Sequence, residues 1–374
     1  MSVEIKRSTA QKMSAFHASS FQALVGLDGF VDNIIDVVDK RADEANYVRV
    51  EKIAQLGERI QRAAGLSSNI ELVVKQEKLG GNGPIMANAL IQANLGVTYI
   101  GNLGRDVVHS VFTDMASRCT ACYTLCEPGV TDALEFQDGK LMLGKHQFLK
   151  GVTYERMLEV IGLEKLKAIW SNAQLVALTN WTMLPHQTSI WRSLLKDMVH
   201  VNVPKGATLF IDLADPEKRL ANEIAEACKL LKNFRSSHRV VLGLNQKESI
   251  EVSTALGMKL KAEEIEANAA RLRKELELDA VVIHPTRNAA CATEKSSGYL
   301  EGPYCANPKL TTGAGDNFNA GFCLGLLANL EPAELLAAGT ASSGFYVRNG
   351  RSATGKELVG FLEQWAQRHG DPTF

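Results

Sequence analysis

Leu310-Thr311-Thr312-Gly313-Ala314-Gly315-Asp316-Asn317-Phe318-Asn319-Ala320-Gly321-Phe322 sets small residues and one acid before a helix predicted over 317–329. A helix N-terminus carries unpaired backbone N–H groups and a partial positive charge. Glycine lets that backbone approach an anion without a Cβ in the way. The N–H groups of Ala314, Gly315 and Asp316 are thus suited to charge on a phosphoryl group in transfer. An acid in a loop that only bound phosphate would repel it. It makes sense if Asp316 takes the proton of an attacking hydroxyl. The loop is not a P-loop, since no Lys-Ser/Thr follows its glycines. Alone, the segment also fits a turn whose Asp caps a helix.

Two further segments gain meaning beside it. Leu79-Gly80-Gly81-Asn82-Gly83-Pro84-Ile85-Met86-Ala87-Asn88-Ala89 places a glycine pair before a helix, with Pro84 suited to its first turn. Val241-Leu242-Gly243-Leu244-Asn245-Gln246-Lys247-Glu248 ends a strand at an Asn, with a Glu one helical turn later. Amide and carboxylate then share a helix face and could order a hydrated Mg²⁺. The same spacing also describes a capping box.

Around these motifs, short apolar runs alternate with helix-length amphipathic segments. The runs are Phe21–Gly26, Val97–Ile100, Leu175–Leu178, Thr208–Leu213, Val240–Leu244 and Ala280–Ile283. Alternation of this kind predicts βαβ units and an α/β fold, a mostly parallel sheet with helices on both faces. Ligands on such sheets bind beyond the carboxyl ends of the strands. Segments at about 29–40, 70–79 and 131–145 read instead as strands with polar alternation. In the last, Asp138-Gly139 between two apolar runs signals a hairpin. These pieces are expected to pair as a small antiparallel β-sheet lid beside the main sheet. With no repeat, low-complexity tract or long linker, residues 1–374 read as a single domain.

Composition bounds the partners. The 374 residues are 45% hydrophobic and 22% charged with a formal net charge of −1, enough for a full core. No basic run suggests a nucleic-acid or membrane partner, and no apolar window approaches a bilayer span. The first 20 residues lack the apolar core of a signal peptide and read as an amphipathic helix with Met13 and Phe16 on one face. A cytoplasmic location is expected. Cys119, Cys122 and Cys126 lack a second ligand pair for zinc and read as half-buried thiols.

Taken in order, TTGAGDNFNAGF, GGNGPIMANA…GVTYIGNLGRD and Asn245-Gln246-Lys247-Glu248 resemble the ribokinase-like, PfkB-type carbohydrate kinase family, from about 21 to 362. The resemblance implies ATP as donor, Mg²⁺ as cofactor and a sugar or nucleoside-like acceptor. It makes Asp316 the catalytic base and Gly313, Ala314 and Gly315 the anion hole. Asn245 and Glu248 would position Mg²⁺ and phosphates, with Thr286 and Thr312 on the nucleotide. The strand-end acid Asp32 would hold a substrate hydroxyl, with Asp28, Gly81 and Asn82 beside the substrate. A homodimer through the lid is also implied. Leu310 stands where the family often has a cation-binding Asp, which speaks against a monovalent cation such as potassium. Ile85 replaces a frequent substrate-binding Asn, and His284-Pro285-Thr286 replaces the usual Thr-x-Gly. Leu310 and the altered loop at His284–Thr286 motivate the alternative of a catalytically degenerate ligand sensor or partner-binding module.

Overall fold

The computed structural model describes residues 2–371 and 374. With strands numbered in chain order, the main sheet begins with β1 (Gln22–Leu27), β5 (Gly96–Gly101) and β6 (Ala121–Thr124). It continues with β9 (Leu175–Leu178), β10 (Thr208–Asp212), β11 (Arg239–Leu244) and β12 (Ala280–Ile283). All of these pair in parallel. The edge strands β13 (Asn288–Thr293) and β14 (Ser297–Glu301) add on antiparallel. The order across the nine strands is β14-β13-β12-β11-β10-β9-β1-β5-β6.

Helices cover both faces, which is why the central strands are apolar throughout. Side chains alternate across the sheet: Val25 of β1 and Phe210 of β10 enter one apolar cluster. Leu24, Leu209 and Ile211 enter the other. The helices Asn82–Gln92, Ala314–Leu327, Pro332–Asn349 and Gly355–Gln367 fill the first face through Met86, Phe322, Leu336 and Leu362. Trp170, Trp181 and Trp191 are buried in the second cluster as core packing. The helix Ser2–Ala15 buries Met13 and packs on Gly355–Gln367. No described helix is long and apolar enough to cross a membrane.

A second, five-stranded sheet comprises β2 (Phe30–Arg41), β3 (Tyr47–Arg49), β4 (Leu72–Gly80), β7 (Gly129–Phe136) and β8 (Gly139–Lys145). It contains the segments 29–40, 70–79 and 131–145, but it is mixed, because β2 and β7 run parallel. Their connection passes through β4, β5 and β6 of the two sheets, so no tight turn forces them antiparallel. The hairpin β7–β8 turns at Gln137-Asp138, one residue earlier than expected, because Gly139 already pairs with Phe136. Asp138 Oδ1 is held by the Ile53 N–H at 3.0 Å, fixing that turn against the helix Ile53–Arg62. This sheet keeps its own small core of Ile35, Val37, Val50, Leu56, Leu134 and Phe136.

Candidate active site

Beyond the carboxyl ends of β10, β11 and β12 lies a cavity of about 460 Å³. Its walls include Asp212, Asn245, Glu248, His284 and the segment Gly313–Asp316, with Tyr304, Ser343 and Val347 at the far end. A second cavity of about 390 Å³ opens between the two sheets, lined by Asp32, Gly81, Asn82, His146, Asn180 and Lys218. Asn82, Ala214 and Glu248 line both cavities. A phosphoryl donor and an acceptor could therefore meet across these three residues.

The glycine-rich segment forms the first turn of the helix Ala314–Leu327, which starts three residues earlier than the sequence suggested. Gly313 is its N-cap with φ +90°, and a Cβ there would lie 2.9 Å from Tyr346 Oη and 3.1 Å from Ile85. Both backbone and space therefore require glycine. This earlier start uses up one expected anion donor, because the Ala314 N–H bonds the Thr311 carbonyl at 3.1 Å. The first-turn N–H groups of Gly315 and Asp316 have no helical carbonyl of their own.

Asp316 is 6% exposed and lines the larger cavity. Asn82 Nδ2 donates to its Oδ1 at 2.9 Å, joining two motifs 234 positions apart. Burial pushes the carboxyl well above its ordinary range, and the nearby acids Asp212, Asp28 and Glu248 push it further. A carboxylate with raised proton affinity is matched to accepting a proton near neutral pH.

At the end of β11, Asn245 caps the helix Gln246–Ala255, its Oδ1 accepting the Glu248 N–H at 2.9 Å. Glu248 returns the bond, Oε2 accepting the Asn245 N–H at 2.8 Å, while Oε1 accepts the Asp215 N–H at 2.8 Å. The capping box is therefore real, and Glu248 also faces both cavities. Burial raises Glu248 and Asp212 above the usual carboxylate range, and their mutual repulsion adds to the effect on Glu248. Two buried acids that repel each other form a hard oxygen set relieved by a divalent cation, which fits Mg²⁺. Both Glu248 oxygens already accept N–H groups, which suits contact through the cation's own waters. Asn245 fits the cation less well than expected. Its carbonyl oxygen is engaged in the cap, leaving the NH₂ as a donor matched to phosphate oxygens.

The remaining expected residues divide. Asp32 lies within β2, not at the end of β1, half-buried against Gly80, and lines the inter-sheet cavity. Gly81 (φ +94°) and Asn82 line the same cavity. Asp28 does not: it is fully buried, with Oδ2 accepting the Asn82 N–H at 2.9 Å and Oδ1 the Gly83 N–H at 2.8 Å. Its turn and cap role replaces the expected contact with substrate. Thr286 is exposed on the rim of the larger cavity. Thr312 points elsewhere, its Oγ1 accepting a hydrogen bond from Lys140 Nζ of β8 at 2.9 Å. It lines a small third cavity with Asp32, Lys78, Ile85 and Leu310, while Thr311 takes its place in the larger one. His284 stacks on Phe318 with ring centroids 4.4 Å apart, and burial lowers its pKa to about 4. Cys119, Cys122 and Cys126 are half-buried thiols that burial pushes up to about 11 or 12.

Sequence reasoning gave Asp212 no firm role, although it ends β10 beside the end of β11. Asn319 Nδ2 donates to its Oδ2 at 2.8 Å, fastening it to the helix that carries Asp316. Asn180, just past β9, was missed for want of any local motif. The segments 302–308 and 340–347, which wall the larger cavity, were also missed, because their small residues converge only in space.

The sequence model of the prokaryotic ketohexokinase family matches residues 6–365. A ketohexokinase from Haloferax volcanii is 28% identical over 342 residues, covering 91% of this chain and 90% of that protein. A single-residue mutant of phosphofructokinase-2 from Escherichia coli superposes with a TM-score of 0.66 at 13% identity, over 93% of this chain and 99% of its own. Ribokinase from Thermotoga maritima gives a TM-score of 0.59 at 16% identity, over 92% and 99%. The match over residues 6–365 places the chain in the prokaryotic ketohexokinase family, with the fold shared by phosphofructokinase-2 and ribokinase.

Proposed function

We propose that this kinase transfers the γ-phosphoryl group of ATP to a hydroxyl of a ketohexose, with Asp316 as the general base. The observation that carries this reading is the Asn82–Asp316 hydrogen bond, which sets the acid where the two cavities meet. The triphosphate occupies the larger cavity, facing the first-turn N–H groups of Gly315 and Asp316. The sugar occupies the inter-sheet cavity between Asn82 and Asp32. The acceptor oxygen forms its bond to the γ-phosphorus as the bond to the bridging oxygen of ADP breaks. Asp316 receives the hydroxyl proton and later releases it to water. Glu248 and Asp212 would hold Mg²⁺, which would supply neutralisation of phosphate charge when bound. The protein's part is positioning and electrostatic stabilisation. The second sheet serves as a lid that excludes water from the reacting phosphate.

A ketose acceptor follows from the family and from the name of the Haloferax protein. The decisive experiment measures ADP release from MgATP with fructose and other ketohexoses, beside aldohexoses, sugar phosphates and nucleosides. Ketohexose-dependent ADP supports the reading. ADP release driven only by another acceptor class would overturn the substrate, and none with any acceptor would overturn the reaction.

A further inference from the structure

Asp28 is the most enclosed acid near the site, and no step of the reaction uses it. It is 0% exposed and sits in the two-residue link between β1 and β2. Its carboxylate meets three donors: the Asn82 N–H at 2.9 Å, the Gly83 N–H at 2.8 Å and Asn180 Nδ2 at 2.7 Å. A Cβ on Gly81 would come within 2.8 Å of Oδ2, and one on Gly83 within 2.7 Å of Oδ1. Glycines on both sides of Asn82 therefore make room for this carboxylate. Such an arrangement goes beyond an ordinary helix cap, since the acid gathers groups from two separate chain segments.

Those groups are the ones that face the acceptor. Asn82 and Asn180 both line the inter-sheet cavity, and Asn82 also donates to Asp316 Oδ1. The path from Asp28 to the base has two links, one to the backbone of Asn82 and one from its side chain. Each link is a hydrogen bond within ordinary length. Asn180 has φ +57°, a left-handed conformation for which a side chain needs a compensating contact, and Asp28 supplies it.

We propose that Asp28 is a positioning residue: from outside the cavity it fixes Asn82 and Asn180, and through Asn82 it aims the Asp316 carboxylate at the acceptor. The proposal rests on the kinase reading above and adds to it a residue that touches neither substrate. An asparagine at 28 keeps the shape but turns an NH₂ toward at least one N–H, so the three donors can no longer be held together.

The test is a double-mutant cycle between D28N and N82A, read in the MgATP and ketohexose assay with melting curves alongside. Each single variant should lower kcat by about 10–100-fold and raise the acceptor KM, and D28N should leave the ATP KM within about threefold. The double variant should fall no more than about threefold below N82A, because Asp28 acts through a residue already removed. Multiplying effects, or equal damage to both KM values, would overturn the proposal. D28S, which leaves room for a water, is made in parallel in case D28N does not fold. Failure of both to fold would make Asp28 a purely structural residue and would also overturn it. A readout free of turnover keeps this separate from the assigned reaction. The Asn82 side-chain NH₂ resonance, identified by its loss in N82A, should shift in D28N with no ligand present. If it shifts while wild-type protein phosphorylates no ketohexose, the substrate reading falls and the positioning role stands. If it does not move, the positioning role falls.

Discussion

Replacing Asp316 with asparagine should separate turnover from folding. The substitution is isosteric, and Asn82 Nδ2 can still donate to an amide oxygen at the same place. What disappears is a proton acceptor and a buried charge. Loss of a general base typically costs about 10²–10⁴ in rate, roughly 3–5 kcal/mol of transition-state stabilisation. Loss of the charge acts in the opposite sense on stability. The Asp316 carboxyl is buried beside Asp212, Asp28 and Glu248, and its folded pKa lies above the unfolded value. The folded chain therefore keeps its proton to higher pH than the unfolded chain does. Wild-type stability falls as pH rises above the unfolded carboxyl range of about 4, until the folded group has also ionised. The variant has no such loss. Each unit between the folded and unfolded pKa is worth about 1.4 kcal/mol once the group has ionised. We therefore expect D316N to melt a few degrees higher than wild type at pH 8, with a smaller gap at pH 5. Coupled ADP detection and melting curves from pH 5 to 9 read both halves. Turnover within about threefold of wild type would refute the base, and a gap independent of pH would refute the buried-charge argument.

Other substitutions test neighbouring statements. In E248Q the single amide oxygen cannot accept both the Asn245 and Asp215 N–H groups, so about 1–2 kcal/mol of stability should go. Its half-saturating Mg²⁺ concentration should rise about tenfold or more, and an unchanged Mg²⁺ requirement would remove Glu248 from the cation site. His238 is buried against Trp170 and its pKa is lowered to about 4. The unfolded state gains a proton that the folded state refuses, so stability falls by up to about 3 kcal/mol as pH drops from about 6.5 toward 4. H238F should flatten that acid limb in urea titrations, and an unaltered slope would show that another group causes it. Trp191 is fully buried, and W191A should cost about 3–5 kcal/mol of unfolding free energy. A loss under about 1 kcal/mol would mean that the core closes around the gap.

The parallel sheet was readable because its strands are buried on both faces and therefore apolar throughout, as Leu175–Leu178 shows. The convergence of continuous motifs on one cavity was readable, since Gly313–Asp316 and Asn245 with Glu248 both line it. Distance in the chain defeated the rest. Nothing local reveals that Asn82 reaches Asp316, or that Asp28 turns inward to the Asn82–Gly83 backbone while Asp32 lines the inter-sheet cavity. Two acids four residues apart look alike until the link after β1 is seen to bend between them. Thr311 and Thr312 are likewise interchangeable on paper, and only the fold shows that they line different cavities. The parallel β2–β7 pair escaped because hairpin signals report neighbours, not partners almost 100 residues apart.

The way the chain crosses between the two sheets bears on how substrate enters and product leaves. One crossing is Asp28-Gly29 and another is Gly81, and Asp28 binds the N–H groups just beyond the second. These hydrogen bonds rivet both crossings to the main sheet. On the kinase reading proposed above, a displacement of the second sheet would carry Asp32 on β2, while the Asp28 and Asp316 hydrogen bonds hold Asn82. In that proposal the acceptor would lie between a moving wall and a fixed one, and the fixed wall would hold the base. Opening to exchange sugars would then leave the aim of the carboxylate undisturbed, so that each new acceptor would meet a base already set.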